Sequence, residues 1–488
     1  MQKKIPRCMS TQHPDNVNLP FFAENSELSG EDEIQEAYYA FSHLGIDEQM
    51  WDCEGKEVDN YVVGKLLSRY GSFFRENIIG KDIFLTLRVP NPDIERTEAK
   101  ILVETLESIP RSFDVAKLFY NDDIAPIFEV ILPMTTSSRC INRVYHYYKN
   151  FVVGKQNKKF SKDDVKIKEW IGEFKPKEIN VIPLFETKEA MLNAHIITKE
   201  YLKDKKEEYQ RVFLARSDPA MNYGALSAVL LNKIALQNLW ELEEKISVEI
   251  LPIIGVGSAP FRGNLKPENV DSLINAHPSV QTLTIQSAFK YDNSEKEARD
   301  SIEKIKNSKR KEPIFVDKKF CLEIIEKFSV EYGKQIRILS NLINRISKYI
   351  PSRRKRKLHI GLFGYSRSVR GITLPRAIPF CCALYSIGLP PEILGLNTLN
   401  EKEIYQIKEI YKNFENDLKS AMPYFNKNVI KILPRSLTKK LRTDIVKFET
   451  DEKHLMLTNQ IIDCLRRENF SNLQELIIEA AKIRKFLG

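Results

Sequence analysis

The chain has 488 residues, 42% apolar and 29% charged, enough for a large packed core and unlike the composition of a disordered protein. Seven scattered cysteines without a Cys-x-x-Cys pair fit a reduced, cytoplasmic setting rather than a disulfide scaffold or a thiolate metal site. The 75 basic against 66 acidic residues leave a net charge of +9, compatible with anionic substrates or nucleic acid, and the basic start at Met1–Arg7 is not followed by the apolar stretch of a signal peptide.

In chain order, the first candidate strand is "IPRCMST" (5–11), which runs straight into the polar cluster "STQHPDN" around His13. "DIFLTLRVPNP" (82–92) carries Arg88 and is followed by a helical pattern, "TEAKILVETLESI" (97–109). "APIFEVILPM" (125–134) carries Glu129, and "INVIPLFET" (179–187) ends on Glu186, ahead of a helix over 188–204. "RVFLARSDP" (211–219) contains Arg216 and Asp218 and precedes a long helix over 223–246. "VEILPIIGVGSAP" (248–260) leads into the glycine-rich "GVGSAPFRGNL" with Arg262, and "VQTLTIQSAFKYD" (280–292) holds Gln286 and Lys290. After a helix over 320–346 come the basic run "PSRRKRKLH" (351–359) and an eighth strand, "LHIGLFGYSR" (358–367), with Arg367 and Arg370 at its end. The apolar run Ala377–Leu396 contains Pro379, Pro390, Pro391 and Glu392, and reads as a buried helix and a turn rather than a membrane span.

Near-continuous apolar strands alternating with amphipathic helices mean a parallel sheet covered on both faces, and eight such units predict a closed α/β (β/α)₈ TIM-type barrel with additional helices. The barrel takes residues 1–395, and the charged, helical remainder, 396–488, forms a C-terminal extension packed on it as a possible oligomer contact. Polar residues follow nearly every strand, from His13, Arg88, Glu129 and Glu186 to Arg216, Asp218, Arg262, Gln286, Lys290 and Arg367. In such barrels active sites are assembled on that rim.

Glu186 and Asp218 end consecutive strands, and paired hard oxygen ligands suit Mg²⁺ or Mn²⁺ better than zinc; helix capping or pairing with an arginine is the alternative use of both. The glycine-rich loop with Arg262 suits an anion, as do Arg367 and Arg370, although each is also compatible with an ordinary turn or surface ion pair. Among the seven histidines His13 stands apart because Ser10, Thr11, Gln12, Asp15 and Asn16 crowd it, a setting that can place an imidazole for proton transfer. The basic run 351–359 lacks interleaved aromatics and reads as a solvated loop rather than a nucleic-acid patch.

Seven segments in fixed order, "MSTQHPDN" (9–16), "LRVPNP" (87–92), "PLFET" (183–187), "ARSDPAMNYG" (215–224), "GSAPFRGNL" (257–265), "TIQSAFKYD" (284–292) and "FGYSR" (363–367), span about three quarters of the chain. Together they resemble the short, archaeal-type phosphoenolpyruvate carboxylases. The resemblance implies a (β/α)₈ homotetramer that uses Mg²⁺ to combine phosphoenolpyruvate and bicarbonate into oxaloacetate and phosphate, with no nucleic acid or membrane as partner. It also implies His13 as catalytic histidine, Glu186 and Asp218 as metal ligands, and Arg262 on a mobile loop covering the substrates. Arg88 would be a catalytic residue facing the substrate, Gln286 and Lys290 would bind its phosphate, and Arg216, Arg367 and Arg370 complete the expected substrate-binding residues. Arg367 and Arg370 fall near the pocket where the long forms bind inhibitory C4 dicarboxylates such as L-aspartate. The chain departs from the long forms in keeping a single arginine in "GSAPFRGNL" and in having Met221 and Asn222 where they have a lysine. Two other classes share parts of this pattern: another Mg²⁺-dependent barrel enzyme of enolate chemistry, which needs no bicarbonate, and a nucleic-acid binder built on the net charge.

Overall fold

A computed structural model describes residues 4–55, 59–355, 367–369 and 372–488. Eight parallel strands follow one another around a closed barrel: β1 (Cys8–Ser10), β2 (Glu48–Asp52), β3 (Phe84–Arg88), β4 (Glu129–Leu132), β5 (Asn180–Phe185), β6 (Tyr209–Ala215), β7 (Glu249–Gly255) and β8 (Thr282–Ile285). The barrel closes where Cys8, Met9 and Ser10 pair with Leu283, Thr284 and Ile285.

Seven of these strands overlap segments expected from sequence, and β2 does not. "EQMWD" lacks the apolar continuity of its neighbours because its inward positions serve other purposes: Glu48 joins a buried ion pair, Met50 fills the barrel and Asp52 binds a rim arginine. The expected eighth strand, 358–367, is not a barrel strand. Residues 358–366 lie outside the described residues, Arg367–Val369 pairs instead in an antiparallel hairpin with Ile372–Leu374, and β8 already completes the closure.

The barrel interior is layered with the two-residue period of the strands. At the N-terminal end the even-numbered strands contribute Glu48, Glu129, Arg211 and Thr282, and Arg211 binds all three partners at 2.6–3.4 Å. Glu129, expected at the catalytic mouth, therefore opens β4 at the opposite end and is a structural ion-pair partner. Above this layer Met9, Met50, Ile131, Ile182, Phe213 and Ile253 form an apolar plug, and the next inward positions, two residues further on, reach the C-terminal mouth.

The outward faces pack under long helices, among them Ala225–Ile246 and Lys318–Ser347, close to the expected spans. The C-terminal helices Glu452–Arg467 and Leu473–Arg484 share the same apolar core through Ile461, Leu473 and Ile477, and the chain then turns inward so that Phe486 and Leu487 are buried. The run Ala377–Leu396 is the expected buried helix, Ala377–Ser386, followed by a turn, and its next helical piece, Pro391–Thr398, leaves at 94°. No single helix among the described residues is long and apolar enough to cross a membrane.

Candidate active site

The C-terminal mouth of the barrel opens into a cavity of about 280 Å³. His13, Arg88, Glu186, Arg216, Asp218, Arg262 and Gln286, all expected from sequence, line it, together with Glu54, Arg353, Arg354 and Arg376, which were not. His13, Glu54, Arg88, Glu186, Arg216, Asp218, Arg262 and Gln286 sit at or just beyond strand ends, and Arg353, Arg354 and Arg376 come from much later in the chain than His13, so the fold gathers residues separated by more than 300 positions.

His13 lies three residues past β1, where the strand direction is prolonged by the bond from Thr11 N to Ile285 O. Its ring is oriented by Nδ1 at 2.9 Å from Thr11 Oγ1, and its carbonyl accepts from Asp15 N and Ser287 N at 3.0 and 3.3 Å. This explains the dense polar composition of "STQHPDN": its side chains are the fasteners of a loop that reaches the cavity. Gln12 is one of them, accepting from Asp52 N at 2.9 Å.

Arg88 ends β3 and makes a two-pronged pair with Asp52, at 3.0 Å from Nε and 2.6 Å from Nη2. Glu54 lies 3.3 Å from the same guanidinium. Burial pushes Glu54 up to about 8, aided by the Asp52, Glu95 and Glu186 carboxylates and opposed by Arg88. Burial thus favours the neutral form of Glu54, which limits negative charge in a cavity lined by arginines.

Glu186 follows β5 and is aimed by Met134 N–H, which donates to Oε2 at 2.6 Å. Asp218 stands in the first turn of the helix Ser217–Tyr223 that follows β6, half-buried. No group of three or more acidic, histidine or cysteine side chains among the described residues is arranged to hold a metal. A two-carboxylate donor set facing an open cavity does fit a hard divalent cation that takes its remaining ligands from substrate and water, the habit of Mg²⁺.

Arg262 ends a single 3₁₀ turn, Pro260–Arg262, after β7, and is only 2% exposed. Its guanidinium donates to Ser217 Oγ (3.1 Å), Asp15 Oδ2 (3.2 Å), Gly488 O (2.7 Å) and Gln286 Oε1 (2.6 Å). A Cβ on Gly257 would lie 2.9 Å from that guanidinium, which accounts for one glycine of the loop. In this conformation the arginine is a locked part of the wall, not an exposed residue on an open loop, and Gln286 holds it.

Lys290, expected at the substrate phosphate, is not among the cavity-lining residues. Its ammonium donates to Ser10 Oγ, Thr11 O and Glu36 Oε1 at 3.0–3.1 Å, and burial lowers its pKa. Arg216 lines the cavity but its Nη1 donates to Phe261 O at 3.1 Å, and its charge faces Asp417 and Tyr411 behind the rim. Arg367 places its backbone opposite Leu374 in the hairpin, and Arg370 lies outside the described residues. The basic run is not a solvated loop at its start: Arg353 is 8% and Arg354 1% exposed. Arg354 is paired with Glu33 and Glu36 at 2.6 and 2.7 Å. The signal available in sequence was the acidic partner helix "EDEIQEAYY", which places Glu33 and Glu36 three residues apart on one face.

A (β/α)₈ barrel with a histidine, a carboxylate pair and several arginines converging at the C-terminal mouth defines an enzyme for a small anionic substrate. Residues 5–488 match the family model described as phosphoenolpyruvate carboxylase. The chain is 57% identical over 485 residues to a phosphoenolpyruvate carboxylase of Methanothermobacter thermautotrophicus, covering 99% of this chain and 100% of the relative. The phosphoenolpyruvate carboxylase of Pyrococcus abyssi is 53% identical with the same coverage, and that of Metallosphaera sedula 44% identical over the full length of both chains. The chain belongs to the phosphoenolpyruvate carboxylase family, and is thereby a carboxy-lyase.

Proposed function

We propose that the chain joins phosphoenolpyruvate to bicarbonate, giving oxaloacetate and phosphate. The observation that carries this reading is the convergence, in one cavity, of Arg88, Arg262 and Arg376 with His13 and the Glu186–Asp218 pair. A phosphorylated, carboxylated three-carbon acid needs such a balance of cations and a divalent-metal site.

Glu186 and Asp218 would hold Mg²⁺ or Mn²⁺, which when bound supplies Lewis-acid stabilisation of charge on substrate oxygens. The arginines hold and orient the phosphoryl group while a bicarbonate oxygen attacks phosphorus and the bond to the enol oxygen breaks, leaving carboxyphosphate and the pyruvate enolate. Positioning and electrostatics dominate such a transfer, so fixed guanidinium groups are suited to it. Carboxyphosphate then loses phosphate, and the enolate carbon bonds the carbon dioxide released. His13, held through Nδ1, takes the carboxyl proton of carboxyphosphate at this step. Burial of Arg262 and Leu487 around the cavity keeps water from protonating the enolate to pyruvate. In the same reading the protein works in the cytoplasm as a homotetramer and is inhibited by C4 dicarboxylates such as L-aspartate.

The test is release of phosphate from phosphoenolpyruvate with and without bicarbonate over a Mg²⁺ titration. The reading expects release that needs both, and a sharply raised Mg²⁺ requirement in Asp218→Asn. Bicarbonate-independent release would favour the other enolate-forming barrel enzymes, and an unchanged Mg²⁺ titration in the variant would remove Asp218 as a ligand.

A further inference from the structure

Asp15 has no role in the reaction described so far, yet it occupies the junction of four parts of the rim. Its side chain is fully buried. Oδ1 accepts from Ala288 N at 2.7 Å, where the segment after β8 begins its helix, and Oδ2 accepts from Ser258 N at 3.4 Å in the loop after β7. The same Oδ2 meets Arg262 Nη1 at 3.2 Å, and the backbone carbonyl of Asp15 accepts from Leu487 N at 2.7 Å. Among the side chains that contact the Arg262 guanidinium, Ser217 and Gln286 are neutral, and Asp15 is the acidic one.

We propose that Asp15 is the positioning residue of Arg262: it fixes the guanidinium as a stationary cation in the cavity wall and locks it to the loop that carries His13. The inference rests on the carboxylase reading. Its physical basis is that a buried guanidinium is restrained most strongly by a carboxylate whose own oxygens are already fixed, and here two backbone N–H groups fix them. Because Asp15 is two residues from His13 and its N–H donates to the His13 carbonyl at 3.0 Å, one side chain sets the spacing between the proton acceptor and the cation. Displacement of a catalytic group by about 1 Å costs on the order of 100-fold in rate.

The alternative is that Asp15 merely holds the N-terminal segment. Asp292 provides the control, since its buried carboxylate holds the same segment by accepting from Val17 N and Asn18 N, both at 2.7 Å, and is not among the hydrogen-bond partners of the Arg262 guanidinium. The experiment measures kcat and KM for phosphoenolpyruvate in the wild type, Asp15→Asn, Asp292→Asn, Arg262→Met and the Asp15→Asn/Arg262→Met double variant. The proposal expects Asp15→Asn to lower kcat/KM by about 10- to 100-fold, and Asp292→Asn by less than about threefold. In the Arg262→Met background, the added Asp15→Asn change should cost less than about threefold, because residues acting through one another are not additive. Equal losses in Asp15→Asn and Asp292→Asn, or full additivity in the double variant, would overturn it. Should Asp15→Asn not be recovered folded, Asp15→Glu, which keeps the charge but displaces it, carries the same expectations and the same refutation. An inactive wild type would refute the carboxylase reading and this inference with it, whereas an active wild type with an indifferent Asp15 refutes the inference alone.

Discussion

Glu36 offers the sharpest test of how the site is held together. It is buried in the helix Glu31–Ser42 and accepts from Arg354 Nη2 (2.7 Å), Lys290 Nζ (3.0 Å), Tyr291 Oη (3.0 Å) and Gln12 Nε2 (3.4 Å). Burial alone would raise its pKa, but the Arg354 and Lys290 charges prevail and bring it from 4.5 to about 2. At about 1.4 kcal/mol per pH unit, that difference corresponds to about 3 kcal/mol of stability. The folded pKa is depressed, so this contribution is complete above about pH 4.5 and is lost as the pH falls towards about 2. Glu36→Gln should therefore lower the unfolding free energy in urea by about 3 kcal/mol at pH 7, near the range found when one partner of a buried pair is removed. At pH 3.5 the gap between variant and wild type should narrow to about 2 kcal/mol. A loss under about 0.5 kcal/mol at pH 7, or a gap that does not close with acid, would refute the network as a source of stability.

Arg211→Met leaves the Glu48 and Glu129 carboxylates buried without their cation and should cost about 3–5 kcal/mol by urea unfolding, most of it recovered when both glutamates are also changed to glutamine. His13→Asn should still release phosphate from phosphoenolpyruvate but lower oxaloacetate formation by about 100-fold, measured by parallel assays of the two products. Gly488→Ala drives a Cβ into the Ile378 carbonyl, so the Leu487–Gly488 backbone must shift and disturb its bonds to Asp15 and Arg262; kcat/KM should fall about tenfold while the melting temperature changes little.

The barrel was legible in the sequence because its strands are apolar on both faces, and the rim because polar residues follow them at regular points. What was hidden follows one physical pattern. Strand β2 has polar inward residues at both ends, Glu48 and Asp52, so hydrophobic periodicity passes over it. Glu129 and Arg211 are polar for the opposite end of the barrel, a distinction that depends on where a strand starts within its segment. Lys290 carries the chemistry of a phosphate ligand and lies four residues past Gln286, which does line the cavity, yet its ammonium is bound to Glu36 instead. Arg354 looks like part of a solvated basic run until the acidic helix, whose Glu33 and Glu36 lie 321 and 318 positions earlier in the chain, is folded against it. Contacts of such sequence separation leave no local trace.

The "STQHPDN" cluster illustrates the gain from structure. Sequence singles out His13; the fold adds that Thr11 orients its ring, Gln12 reaches Asp52, and Asp15 meets Arg262. A short stretch near the N-terminus thus ties His13 to two arginine-bearing parts of the cavity wall.

The central claim is tested most directly by incubating the purified chain with labelled bicarbonate, Mg²⁺ and phosphoenolpyruvate and counting acid-stable label trapped as a reduced C4 acid. The account predicts label fixed in proportion to phosphate released, none when phosphoenolpyruvate or Mg²⁺ is withheld, and far less in Asp218→Asn at the same Mg²⁺ concentration. Phosphoenolpyruvate turnover without fixed label in the wild-type chain would contradict it.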